Sequence, residues 1–164
     1  MTDRNYTTTF TVIQKPAQVF AAINDVRAWW SEGIEGRTGT IGDRFTHRVL
    51  NLHRCDLEVT ALVPEKRVAW TVLDNHFNFT EDKTEWKGTD IVFEIASTGG
   101  KTEVRFTHVG LVPEYECYEV CTDGWRTYIH SLRDLIATGK GHPNVGQAMT
   151  DSEQALVRSG QGAA

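Results

Sequence analysis

Residues 6–14 alternate threonine with Phe10 and Val12, a period of two that predicts a half-buried strand. Pro16 then stands where a first helical turn tolerates it. Behind it Val19, Phe20 and Ile23 recur at helical spacing, which predicts a helix over 17–23. Asn24 and Asp25 end this helix and cap a second short one over 26–31, which carries Trp29 and Trp30.

From Ile34 the period returns to two. Strands are predicted over 34–39, 44–50, 54–63, 67–79, 89–97 and 102–109. The turns between them have suitable chemistry in Gly42-Asp43, Pro64-Glu65-Lys66 and Gly99-Gly100. A charged connection over 81–88 holds Trp86. Each strand follows its predecessor through a short link, so the sheet is expected to be an antiparallel meander. After Pro113, the residues Val120, Cys121, Trp125, Tyr128, Leu132, Leu135 and Ile136 recur at steps of three and four. They predict one helix of about 25 residues, stopped at Gly139. Gly124 falls inside it at a cost of about 1 kcal/mol against alanine, which points to a kink or a close backbone approach. Residues 140–164 hold four glycines and no aromatic residue, and are read as a tail outside a domain spanning 1–139. Within the tail, Thr150-Asp151-Ser152-Glu153 reads as a capping box for a short helix through Val157.

Composition narrows the class. The chain has 164 residues, 40% hydrophobic and 24% charged, the proportions of a single globular domain. Its longest apolar run, 19–23, is far too short to span a bilayer, so no membrane insertion is expected. The formal net charge of −5 argues against a partner recognised by its phosphates, and no nucleic acid is expected. The first residues show no secretory pattern, and three cysteines cannot all pair, so a cytoplasmic setting with reduced thiols is expected. The charge is uneven: Glu114, Glu116, Glu119 and Asp123 place −4 where the long helix is expected to start.

Several segments carry a family likeness. They are Pro16-Ala17-Gln18-Val19-Phe20, Ala28-Trp29-Trp30, Gly42-Asp43-Arg44-Phe45, and Glu58-Val59 leading through Pro64-Glu65-Lys66-Arg67 to Val68-Ala69-Trp70. The last is Gly124-Trp125 leading to Leu132, Leu135 and Gly139. In this order the chain resembles the START-like (SRPBCC) superfamily, and within it the family named after the heat-shock chaperone ATPase activator homologue. The resemblance covers about residues 7–139. It implies an α+β helix-grip fold: a seven-stranded curved antiparallel sheet around a long C-terminal helix, with two short helices after the first strand. It also implies a cavity between helix and sheet, in which many members of the superfamily hold apolar small molecules. It supplies no shared catalytic motif. The chaperone-stimulating activity of the family's namesake depends on a further domain, for which the chain is too short.

Strand parity and helical spacing converge on the same place. Phe45, His47 and Val49 share one inward face, as do Cys55, Leu57, Val59, Ala61 and Val63. Val68, Trp70 and Val72 form another such set, against which Ala69 and Leu73 break the pattern. Ile91, Phe93 and Ile95 oppose Val104, Phe106 and His108. Cys117, Cys121, Trp125, Tyr128 and Leu132 make one stripe of the helix. The expected ligand-binding set is therefore His47, Trp70, Phe93, Phe106, His108, Cys117, Cys121, Trp125 and Tyr128. The aromatic residues would form the wall and the histidines the polar anchors. A dry cavity of about 300 Å³ would cost on the order of 7 kcal/mol, so the bulky aromatics are expected to leave only a small one.

No catalytic residue, metal or cofactor is assigned. Cys117 and Cys121 lie one turn apart, about 5–6 Å between Cβ atoms, which is too far for a disulfide. With His108 or His47 they offer incomplete metal-ligand chemistry and lack the close spacing of structural zinc sites. The nearby Glu116, Glu119 and Asp123 disfavour a reactive thiolate. Asp74, His76, Glu81 and Asp82 read as solvated polar residues, and Trp86 as a pocket lid or a homodimer contact. The expected partner is an apolar small molecule. The alternatives are a hydrolase, cyclase or dehydratase using His47 or His108, and a protein-interaction or co-chaperone-like module using the acidic helix start.

Overall fold

In a computed structural model, which describes residues 5–49, 52–145 and 153–155, the chain forms the α+β helix-grip arrangement. The elements are β1 (Tyr6–Val12), α1 (Pro16–Asn24), α2 (Val26–Trp29), β2 (Glu35–Gly36), β3 (Arg44–Val49), β4 (His53–Val63), β5 (Arg67–Phe77), β6 (Asp90–Thr98), β7 (Lys101–Val109) and α3 (Tyr118–Thr138). The seven strands run β1-β7-β6-β5-β4-β3-β2, and every neighbouring pair is antiparallel. The meander over β2–β7 follows the predicted short turns. β1 closes the order by pairing with β7, Phe10 opposite Val104.

Several elements are shorter than their patterns suggest, and for two of them the cause is visible. Strand pairing expected over 34–39 survives only at Glu35–Gly36. The Arg27 guanidinium donates to the carbonyls of Ile34 and Gly36, each at 2.8 Å, so a side chain covers this edge. Beyond it the Asp43 carboxylate accepts the backbone N–H groups of Gly39 and Thr40 and folds the segment into a turn. The long helix begins at Tyr118, later than Pro113. Before it the chain makes two turns, Tyr115 N–H to Val112 and Tyr118 N–H to Tyr115. Glu114 and Glu116 thus precede the helix, and Cys117 is its N-cap residue. The helix ends as expected at Gly139, whose φ of 84° is left-handed.

Parity fails at two bulges, with consequences for the core. Between β4 and β5 the register shifts at Asp56/Leu57 and again at Val59/Ala61. The first shift inserts Leu73 into β5, so the buried residues change from Val68, Trp70 and Val72 to Asn75 and Phe77. The second inserts Thr60 into β4. Val63, expected inside with Cys55, Leu57 and Val59, is 43% exposed instead, and Leu62 packs against the core.

The chain beyond α3 returns to the domain. The Asn144 N–H donates to the Trp30 carbonyl, and Glu32 N–H donates to the Asn144 carbonyl. The Ser131 hydroxyl accepts the His142 N–H at 2.6 Å. Residues 153–155 are helical, and Glu153 is buried. The rest of the proposed capping box and its helix, through Val157, lies outside the described residues, as does Leu50.

Candidate functional site

The space between α3 and the sheet is largely filled by rings. Trp70 stacks on Trp30 at 5.8 Å and meets Phe93 edge-on at 5.1 Å. Phe93 in turn meets Phe106 at 5.2 Å, and Phe106 meets Trp125 at 4.7 Å. Trp70, Phe93 and Phe106 are fully buried and form a solid layer over the sheet. They support a cavity wall without lining it.

The cavity lies at one end of this layer. Trp30 borders it from the end of α2 and His53 from the start of β4. Phe77, Phe79 and Trp86 come from the end of β5 and the link to β6. Helix α3 contributes Val120, Cys121, Gly124, Trp125 and Tyr128, and Glu153 completes the lining. The cavity has a volume of about 30 Å³, and about 390 Å³ when its open mouth is included. This is the small, aromatic-walled recess that the energetic argument favours, with room for a few waters or a slim apolar group.

Gly124 explains part of the space. A methyl group built there would meet only the Tyr128 ring, at 4.0 Å. No other backbone approaches it. The glycine withholds a side chain from the recess between Cys121 and Tyr128. The Trp86 and Trp125 rings stack with centroids 5.9 Å apart and planes within 7° of parallel, and both border the recess. Trp86 is only 3% exposed, so it belongs to the wall and presents no outward contact surface.

The expected polar anchors divide sharply. Both nitrogens of His108 are engaged. The Trp125 indole N–H donates to Nδ1 at 3.0 Å, which leaves the proton on Nε2 to be donated to the Thr89 hydroxyl at 2.8 Å. Thr89 donates onward to the Trp86 carbonyl at 2.6 Å. Burial lowers the His108 pKa to about 3, so the ring is neutral. This network fixes the two stacked tryptophans; it offers a ligand no free atom. His47 differs. It is 1% exposed, and neither ring nitrogen has a hydrogen-bond partner. Its ring lies 4.7 Å from Trp30 and 5.4 Å from His53. Burial, then the neighbouring His53, holds its pKa well below the usual histidine range.

Cys121, Trp125 and Tyr128 are the members of the expected set that face the recess. The Cys121 thiol is pushed up by burial, then by Cys117 beside it, with Glu85 adding to the effect. Burial, reinforced by Glu153, likewise raises the Tyr128 phenol, whose oxygen accepts the Asn144 side-chain N–H at 2.6 Å. Cys117 is buried next to Cys121 but outside the lining. Among the described residues no group of three histidine, cysteine or acidic side chains is placed to hold a metal.

Two polar lining residues lie outside the expected set. The His53 Nδ1 lies 3.7 Å from the Glu153 carboxylate, and both side chains are almost buried. His53 shares the inward parity of Cys55, Leu57 and Val59, so extending the predicted strand by one residue reaches it. Glu153 carries no comparable signal, because a distant part of the chain brings it to the cavity.

The same architecture recurs in solved structures. The solution structure of the Aha1 dimer from Colwellia psychrerythraea is 28% identical with a TM-score of 0.67, covering 84% of this chain and 98% of that one. DynU16, from the dynemicin biosynthetic locus, is 16% identical with a TM-score of 0.61, over 85% of this chain and 49% of that one. CalU16 from Micromonospora echinospora is 12% identical with a TM-score of 0.59, over 82% and 77% of the two chains. Among proteins of curated function nothing matches. No helix among the described residues is long and apolar enough to cross a membrane. Residues 13–137, from the end of β1 through nearly all of α3, match the Activator of Hsp90 ATPase homolog 1-like proteins, and the chain belongs to that family.

Proposed function

We propose that the protein binds a small, largely apolar molecule in the recess between α3 and the sheet. The observation that carries this reading is Gly124. A helix interior disfavours glycine by about 1 kcal/mol, yet here it borders open space rather than a packed neighbour. Trp30, Trp86 and Trp125 form the wall, so indole emission reports on its occupancy. Titration with isoamyl alcohol, a slim neutral probe, is expected to give a saturable change. Gly124→Leu, which places a side chain in the recess, is expected to abolish it, while Gly124→Ala weakens it only modestly. A wild-type emission that does not saturate, or one that Gly124→Leu leaves intact, overturns the reading.

The likeness to a protein described as a dimer supports a second proposal, that this chain forms a homodimer.

A further inference from the structure

The recess carries more negative character than an apolar ligand requires. Glu153 places a carboxylate in its lining, 3.7 Å from the His53 Nδ1, and the residue is only 5% exposed. Trp30, Phe77, Phe79, Trp86 and Trp125 surround the same space with rings whose faces are electron-rich. Such faces attract a cation lying within about 6 Å of the ring centre.

The mouth extends this pattern. Phe77, Phe79 and Trp86 belong to 77–88, and Val120, Cys121 and Gly124 belong to 113–124. These two short segments together carry −5, the whole formal net charge of the chain. They are joined through their carboxylates. Glu85 accepts the backbone N–H groups of Glu116 and Cys117 at 2.9 and 3.1 Å, and Glu116 accepts the N–H of Glu81 at 2.9 Å. None of these carboxylates lines the cavity, but the segments that carry them also supply its lining residues Phe77, Phe79, Trp86, Val120, Cys121 and Gly124. A charge concentrated at the mouth of a low-dielectric recess draws opposite charge toward it. The same field opposes a carboxylate or phosphate ligand.

From these observations we infer that the ligand is a small organic amine, with its apolar body among the rings and its ammonium group on the Glu153 carboxylate. This rests on the binding reading above and adds the charge of the ligand to it. The acidic rim steers the cation in, the rings hold its apolar part and stabilise its charge, and Glu153 fixes the head.

The test uses the full chain and three probes of nearly one shape: isoamylamine, isoamyl alcohol and isovalerate, which are cationic, neutral and anionic at pH 7. Tryptophan emission follows each titration. The amine is expected to bind at least tenfold more tightly than the alcohol, and isovalerate most weakly. Raising the salt concentration is expected to weaken only the amine. Glu153→Gln is expected to remove at least tenfold of the amine's affinity and to erase most of its advantage over the alcohol. Circular dichroism of the variant checks that it has folded. If the alcohol binds wild-type protein as tightly as the amine, or if Glu153→Gln leaves the amine's advantage intact, the amine assignment fails and the apolar reading stands. If none of the three probes saturates, both fail. The affinity order on wild-type protein decides the matter even where the variant does not fold.

Discussion

His47 and His108 lie on the same inner face of the sheet and illustrate two ways of burying an imidazole. His108 has one nitrogen accepting from Trp125 and the other paired with Thr89, whereas both nitrogens of His47 lack partners. An unmet buried polar group costs about 1–3 kcal/mol, while an apolar side chain of similar shape carries no such penalty. His47→Leu is accordingly expected to leave stability at pH 7 unchanged or raise it by about 1–2 kcal/mol, measured by urea unfolding. Both histidines also set a pH dependence. Their folded-state pKa values lie below the unfolded value of about 6.5, so the unfolded chain takes up protons first. Stability is complete above about pH 6.5 and falls as the pH drops toward the folded value, about 3 for His108. Between pH 6.5 and pH 5, His108 alone removes about 2 kcal/mol. The His47→Leu variant is expected to lose stability less steeply over this range. A parallel loss in both proteins would show that His47 does not contribute. The sequence revealed both residues through strand parity. Whether each found a partner was not legible, because the partners come from Thr89 and Trp125 on other elements.

At the scale of elements, the strands, both short helices and the end of α3 follow local pattern. The exceptions have non-local causes. β2 is cut short by an arginine from α2, and α3 starts late where a carboxylate from another segment meets it. Glu85 accepts two N–H groups at the helix start, where a negative charge also suits the helix dipole. No capping pattern near Cys117 announces this, since the cap lies 32 residues earlier. Glu85→Ala is expected to destabilise the protein by about 1–2 kcal/mol. It should also speed hydrogen exchange at the amides of Glu116 and Cys117. Unchanged exchange there would assign Glu85 a role on the surface alone. The bulge at Leu73 is equally hidden. Without it, continued alternation would turn Phe77 away from the recess and remove part of its wall.

Across the whole molecule, the sheet order and the covering helix were legible, while the cavity was only located. Its wall was expected to include Trp70, Phe93 and Phe106, but these rings fill the space they share, and the opening lies toward Phe77, Phe79 and Trp86. Ring volume and packing decide this, and neither follows from alternation. The proposed homodimer belongs to this scale. Sedimentation equilibrium of the full chain is expected to give twice the mass of one chain, 18.4 kDa, at micromolar concentration. A single-chain mass throughout would reject it.

The position of α3 at the end of the long elements has a consequence for synthesis. All seven strands leave the ribosome before the helix that covers them is complete. Until then the nascent sheet bears Phe106 without the Trp125 ring that later packs against it. That part of the inner face is therefore shielded late in synthesis. Arrest of translation within α3 would leave a chain prone to self-association, whereas release of the finished helix closes that surface in one step.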